Sequence, residues 1–215
     1  MPSNTTPSDD QHARTFQPHT PNSALNQKTL MAHYGSPSLF EPVLRAVINQ
    51  LESMSSGDLG NMRANIMLLT DRQSPTAEST RIVTYSLGMD DDPDSDLELD
   101  QDAGCRGRGW ETGEVAVADL DEARVEPTAW KMSREQHNKI PIRVKSMISA
   151  PIPGNLHAES VPSRPIGTLS VDCEARLADT GWWSEPSGNP PCLGVDSQIT
   201  TLMQLWARVI GSMLP

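Results

Sequence analysis

Two amphipathic helical segments, one near each end, frame a series of strand-like runs, and this order constrains the fold more than anything else in the chain. In "SPSLFEPVLRAVINQLESMSSG" (36–57), Phe40, Leu44, Val47, Leu51 and Met54 recur at steps of four and three. Ser38 is the expected N-cap, Gly57 the expected stop, and Pro42 falls in the first turn, where proline is tolerated. In "DSQITTLMQLWARVIGSML" (196–214), Ile199, Leu202, Met203, Trp206, Val209, Ile210 and Met213 share helical spacing, with Asp196 or Ser197 as cap. Between them lie "NMRANIMLLT" (61–70) and "STRIVTYSLGM" (79–89), joined by a polar loop as a hairpin. "EVAVADL" (114–120), "VKSMISAPIP" (144–153) and "RPIGTLSVDCEAR" (164–176) follow, the last two forming a second hairpin. Antiparallel runs framed by helices predict an α+β layer rather than a βαβ fold.

The chain has 215 residues, enough for one domain with a proper core, yet only 36% of them are hydrophobic. That shortfall points to a structured part plus polar tails or loops. Residues 1–35, rich in Pro, Ser, Thr, Asn and Gln, are expected to be a disordered tail, and residues 36–215 the domain. The net charge of −11 disfavours nucleic acid and anionic membrane surfaces as partners. No run approaches the roughly 20 apolar residues of a membrane span, and the N-terminus has no apolar signal region. The cytoplasm is the expected location. Three cysteines without CxxC spacing indicate neither a disulfide framework nor a zinc site, and His12, His19 and His33 are too scattered to form one. "DDDPDSDLELDQD" (90–102) carries eight carboxylates but lacks the glycine and glutamate offsets of an EF-hand, so it reads as a solvated, self-repelling loop.

The stretch "DQDAGCRGRGWETGEV" (100–115) concentrates glycines, a cysteine and two arginines. A dinucleotide cradle needs an apolar strand just before it, and "DSDLELDQDA" stands there instead. A reactive Cys105 has Arg106 and Arg108 nearby to lower its pKa, but no local histidine as base. The remaining reading is a turn opening a short helix that ends at Gly113.

"GCRGRGWETGEVAVADL", "VKSMISAPI" and "PIGTLSVDC", taken in order, resemble the GAF domain's run of glycine-rich turn, short helix and core strands, over about residues 36–215. The resemblance implies a central antiparallel sheet, both terminal helices on one face, and a loop-rich face that forms a small-molecule pocket. The chain departs from the bilin-carrying, cyclic-nucleotide and methionine sulfoxide reductase branches: it has no Cys-His pair, no NKFDE-type series, and Cys105 stands one place early for the reductase cysteine.

On this resemblance Trp110 and Trp130 belong to the pocket wall, where they either stack on a planar ligand or complete the core. Asp119 either orients a polar ligand group or caps the next turn. Strict alternation along "PIGTLSVDC" places Ile166, Thr168, Ser170 and Asp172 toward the pocket and Leu169, Val171 and Cys173 toward the helices. Trp182 and Trp183 are expected to anchor a loop. The candidate ligand-binding set is therefore Trp110, Asp119, Trp130, Thr168 and Ser170, with no catalytic residue, no metal and no identified cofactor. The acidic chain as a whole favours a neutral or cationic ligand over a polyphosphate.

The expected function is a non-catalytic sensory or regulatory module that binds a small molecule or a signalling partner. Two alternatives stand beside it: a Cys105 redox enzyme on the same fold, and a dimerising interaction protein with an empty pocket. Homodimerisation through the terminal helices is expected, with Val43, Ile48, Leu202 and Leu205 flanking the buried seams.

Overall fold

The computed structural model describes residues 37–70, 80–89, 91–125, 130–154, 164–184 and 194–214. The expected tail, 1–35, and Cys192 lie outside the described residues.

Six strands form one antiparallel sheet in the order β3-β2-β1-β6-β5-β4, made from β1 (Arg63–Leu69), β2 (Thr80–Leu87), β3 (Glu98–Asp100), β4 (Ala116–Asp119), β5 (Ser146–Pro153) and β6 (Pro165–Cys173). The strands β1 and β2 pair as a hairpin with a bulge between Ile66 and Met67, and β5 and β6 pair as another. The central β1–β6 pairing joins the two hairpins, setting Asn65 opposite Ser170 and Arg63 opposite Asp172. Both expected hairpins and the α+β class are present.

The terminal helices α1 (Pro37–Met54) and α6 (Ser197–Met213), the latter following the one-turn helix α5 (Leu177–Thr180), pack on one face. Phe40, Leu44, Val47 and Leu51 from α1 meet Ile199, Met203, Ala207 and Ile210 from α6 over Ile66, Leu68, Ile148, Leu169 and Val171. This continuous apolar layer is the main core, and burial of its large side chains contributes about 1.5–3 kcal/mol each. Phe40 stacks on Tyr85 of β2 with ring centroids 4.2 Å apart, and Trp206 donates its indole N–H to Gln50 across the helix pair at 2.8 Å. Asp196 caps α6 by accepting from the backbone N–H groups of Gln198 and Ile199.

Several local expectations need correction. The first helix starts at Pro37, so Ser38 lies inside it and Pro42 in its second turn. Proline removes the N–H that would bond four residues back, and here that position is Ser38 in the end turn. Met54, in the final turn, is exposed. Ile166 belongs to the helix-side core and not to the polar face. The β5–β6 register shifts between Ile152 and Pro153, opposite the start of β6, which breaks the strict alternation there. Trp182 is fully buried in the main core, with its indole N–H on Ser55 Oγ, whereas Trp183 is only partly buried against that core.

The acidic run is not a free loop. It contains a 3-10 turn, Pro93–Asp96, and the edge strand β3, and both Asp92 and Asp94 are buried. Charge composition suggested repulsion. Arginines on the neighbouring elements remove it.

Candidate functional site

The face of the sheet away from the terminal helices is covered by three short helices: α2 (Gly104–Thr112), α3 (Leu120–Val125) and α4 (Arg134–Lys139). The glycine-rich stretch is a turn opening the short helix α2, and its glycines allow close packing. Gly104 has φ +72°, a left-handed conformation suited to glycine, and it turns the chain into the helix. A Cβ on Gly107 would collide with the backbone of Asp102, so only glycine lets the helix fold back on its own entry. Gly113 ends α2 in the left-handed conformation, donating its N–H to Gly109 O. Ser133 and Gln136 form a reciprocal capping box on α4.

Beneath α2 the sheet is polar. Ser149, Ser170 and Asn65 lie opposite one another on β5, β6 and β1, and all three are fully buried. Arg106 reaches down from α2 and donates from Nε to Ser170 Oγ at 3.0 Å, and Ser170 donates to Ser149 Oγ at 3.1 Å. Arg81 rises from β2, fully buried, and gives Nη2 to the carbonyls of Asp100 and Ala103. Its Nε and Nη1, together with Asn65 Oδ1 and Thr168 Oγ1, are buried without a hydrogen-bond partner. Each such orphan costs about 1–3 kcal/mol unless something meets it. Burial and then the facing charge of Arg106 pull Arg81 down to about 9, and burial likewise lowers Arg106.

A small cavity of ≈ 20 Å³, partly open to solvent, lies beside this floor. Gly104, Cys105, Arg106, Trp130, Met132 and His137 line it, with an apolar remainder of Leu99, Leu120, Ala123, Ile140 and Met147. Burial, followed by the charge of Arg124, lowers His137, so the imidazole is neutral near pH 7. Cys105 is pushed up to about 12 by burial, which outweighs the nearby arginines. A thiol held protonated is a poor nucleophile. A second hollow of ≈ 180 Å³ lies between Gly113, Pro151, Pro153, Pro165, Gln204 and Arg208, and has fewer buried polar groups to offer a ligand.

A separate charged cluster pins the acidic run to the sheet. Arg63 donates to Asp172 at 2.7 and 3.1 Å, to Asp94 at 2.9 and 3.0 Å, and to Asp92 at 2.6 Å. Arg143 also donates to Asp92. Burial opposes the Arg63 charge, but Asp172 and Asp94 outweigh it and hold the guanidinium above its usual range. The cluster is internally paired, which makes it a structural clamp.

The five sequence-derived site residues take different places. Trp130 lines the cavity, with the Arg108 guanidinium 4.8 Å from its ring centroid. Trp110, half-buried, packs against Arg81 at 5.7 Å. Thr168 and Ser170 belong to the polar floor beside the cavity. Asp119 caps α3, accepting from the N–H groups of Asp121 and Glu122. Arg81, Arg106 and His137 were not among the expected set. The signal for Arg81 was a basic residue inside the β-rich run "STRIVTYSLGM", and for Arg106 its place within the glycine-rich turn.

An antiparallel sheet with both end helices on one face is the architecture the sequence resemblance implies, and the face expected to be loop-rich carries three short helices. The fold is GAF-like. No protein-family model matches the chain, and no curated protein matches it. Among solved structures, a methyl-accepting chemotaxis protein fragment is similar at 21% identity and TM-score 0.47, over 89% of this chain and 93% of that one. The GAF domain of a phosphoenolpyruvate-protein phosphotransferase from Coxiella burnetii is similar at 11% identity and TM-score 0.46, over 89% and 92%. A mutated NreA protein from Staphylococcus aureus is similar at 14% identity and TM-score 0.37, over 64% and 85%. Likenesses this loose carry no argument about ligand or activity. Among the described residues no helix is long and apolar enough to cross a membrane, and no group of three or more His, Cys, Asp or Glu could hold a metal ion.

Proposed function

We propose that this chain is a non-catalytic sensory or regulatory module that holds a small molecule in the cavity between α2, α3, α4 and the sheet. The observation that carries this reading is the cluster of unmet buried polar atoms on Arg81, Asn65 and Thr168, on the same sheet face as the cavity. A core that needed only stability would be better served by apolar side chains. Within the cavity itself Arg106 and His137 are the polar groups in an otherwise largely apolar lining, the usual make-up of a ligand site. Trp130 supplies the aromatic wall, and Ser170 fixes Arg106 at its edge. The buried, protonated Cys105 favours this reading over a redox enzyme.

Native mass spectrometry of freshly purified protein, followed by thermal shift against a metabolite set, tests the proposal. A bound molecule or a saturable rise in Tm is expected, worth about 2.7 kcal/mol at a hundredfold excess over Kd. Trp130→Ala should lose it while remaining folded by circular dichroism. No co-purified molecule and no shift across the set would overturn the reading.

A second reading, self-association through α1 and α6, is favoured by Leu39 and Leu205, which are large, apolar and about half exposed on those helices. A homodimer formed this way would leave the cavity face free.

A further inference from the structure

The buried arginine in the cavity wall specifies more than the presence of a ligand. Resting on the small-molecule reading above, we propose that the ligand is a small organic acid whose carboxylate is taken by Arg106.

Arg106 lines the cavity, is 2% exposed, and among the described residues makes one hydrogen bond, from Nε to Ser170. Its terminal nitrogens remain to face an acceptor. Arg81, outside the cavity lining, packs its guanidinium on Trp110 and leaves its Nε and Nη1 without an acceptor. Two buried guanidinium groups in this state are costly, and arginine does not readily shed its proton. An anion in the cavity would compensate the buried Arg106 charge. A guanidinium matches a planar carboxylate in shape and charge.

The rest of the cavity narrows the class. Leu120, Ala123, Ile140, Met132 and Met147 offer an apolar surface suited to the hydrocarbon part of an organic acid, and Trp130 offers a flat one. At ≈ 20 Å³ the cavity restricts the ligand to a small one, and its open side leaves a short hydrocarbon part a way out. Asp172 and Asp94, whose charges bear on Arg106, disfavour a second negative charge at this depth, which sets a monocarboxylate ahead of phosphate. His137 faces the same cavity as a neutral imidazole and adds no competing cation near pH 7. Acidic charge elsewhere on the chain suggested a neutral or cationic ligand, but the charge beside this cavity is positive.

The test is a thermal-shift titration of the full chain with sodium acetate, butyrate and phosphate, each against sodium chloride at matched ionic strength. Butyric acid's amide, butyramide, serves as the neutral control and choline as the cation. A saturable rise in Tm with acetate or butyrate, at least tenfold weaker for phosphate and butyramide, is expected. Arg106→Gln should lose the carboxylate response. Because a buried substitution can unfold the chain, Arg106→Lys is measured beside it and should bind at least tenfold more weakly than wild type. The Nε–H resonance of Arg106 in the wild-type protein should also shift on adding butyrate. A carboxylate response that survives unchanged in folded Arg106→Gln or Arg106→Lys, or leaves that resonance still, overturns the assignment. A response to butyramide or choline but not to carboxylates sinks the organic-acid class and leaves the small-molecule reading standing. Silence from every probe and from the metabolite set sinks both.

Discussion

Arg63 on β1 grips Asp172, its cross-strand partner on β6, through two hydrogen bonds of 2.7 and 3.1 Å, with both side chains buried. The same guanidinium holds Asp94 and Asp92, so one side chain fastens the acidic run to the centre of the sheet. Removing one partner from a buried ion pair leaves the other charges uncompensated. Arg63→Ala should therefore lower unfolding free energy by about 3–5 kcal/mol in urea titration. A loss below about 1 kcal/mol would show that water replaces the clamp.

Asp92 predicts the acid response. Burial works against its charge, but hydrogen bonds from Arg143 and Arg63 prevail and hold its carboxyl below the usual range. The folded state thus keeps the carboxylate ionised at a pH where the unfolded chain has begun to protonate it. That stability is complete above the unfolded value of about 4 and fades as pH falls through the folded one. Asp92→Asn should be less stable than wild type at pH 7, with a smaller further loss between pH 5 and pH 2. Parallel curves for the two proteins would remove Asp92 as a source of acid sensitivity.

Cys105 is 3% exposed and its thiol is pushed up to about 12. Iodoacetamide at pH 8 should leave it unmodified in the native protein and modify it fully in guanidinium chloride, as read by peptide mass spectrometry. Native labelling within minutes would mean that α2 opens readily and would restore a redox role to consideration.

Leu205 tests self-association. Of the four flanking residues expected at a dimer seam, Val43, Ile48 and Leu202 pack partly against the main core, and Leu205 stays 56% exposed. Sedimentation at tens of micromolar should give twice the chain mass, and Leu205→Glu should reduce it toward the monomer while changing stability by no more than about 0.5 kcal/mol. A monomeric wild-type protein at that concentration ends the idea.

The elements with strong periodicity were legible in the sequence. Apolar residues every three or four positions marked α1 and α6, and β-rich runs between breakers marked β1, β2, β4, β5 and β6. The glycine-rich stretch was legible as a turn and helix because a nucleotide fingerprint lacked its preceding strand. What composition concealed was pairing over distance. Asp94 and Arg63 are 31 positions apart, and nothing local distinguishes a buried partnered aspartate from a solvated one. Arg81 and Arg106 escaped for the same reason: the sheet and α2 bring them together, and neither lies in a recognisable motif. Ile166 escaped because alternation assumes an unbroken register, which the β5–β6 pair does not keep.

Strand β6 gives one backbone to both sides of the molecule. Ser170 touches Arg106 on one side, while its neighbours Leu169 and Val171 belong to the layer packed by α1 and α6 on the other. Asp172, two residues on, is held by the Arg63 clamp. From Asp172 to Gly167 the strand is paired with β1 on one edge and β5 on the other. Gly167 sits so tightly against β1 that a Cβ would collide with Met67 O. With so little slack, the polar floor under Arg106 and the bed of the terminal helices are two faces of one thickness of backbone, and neither can be repacked without regard to the other.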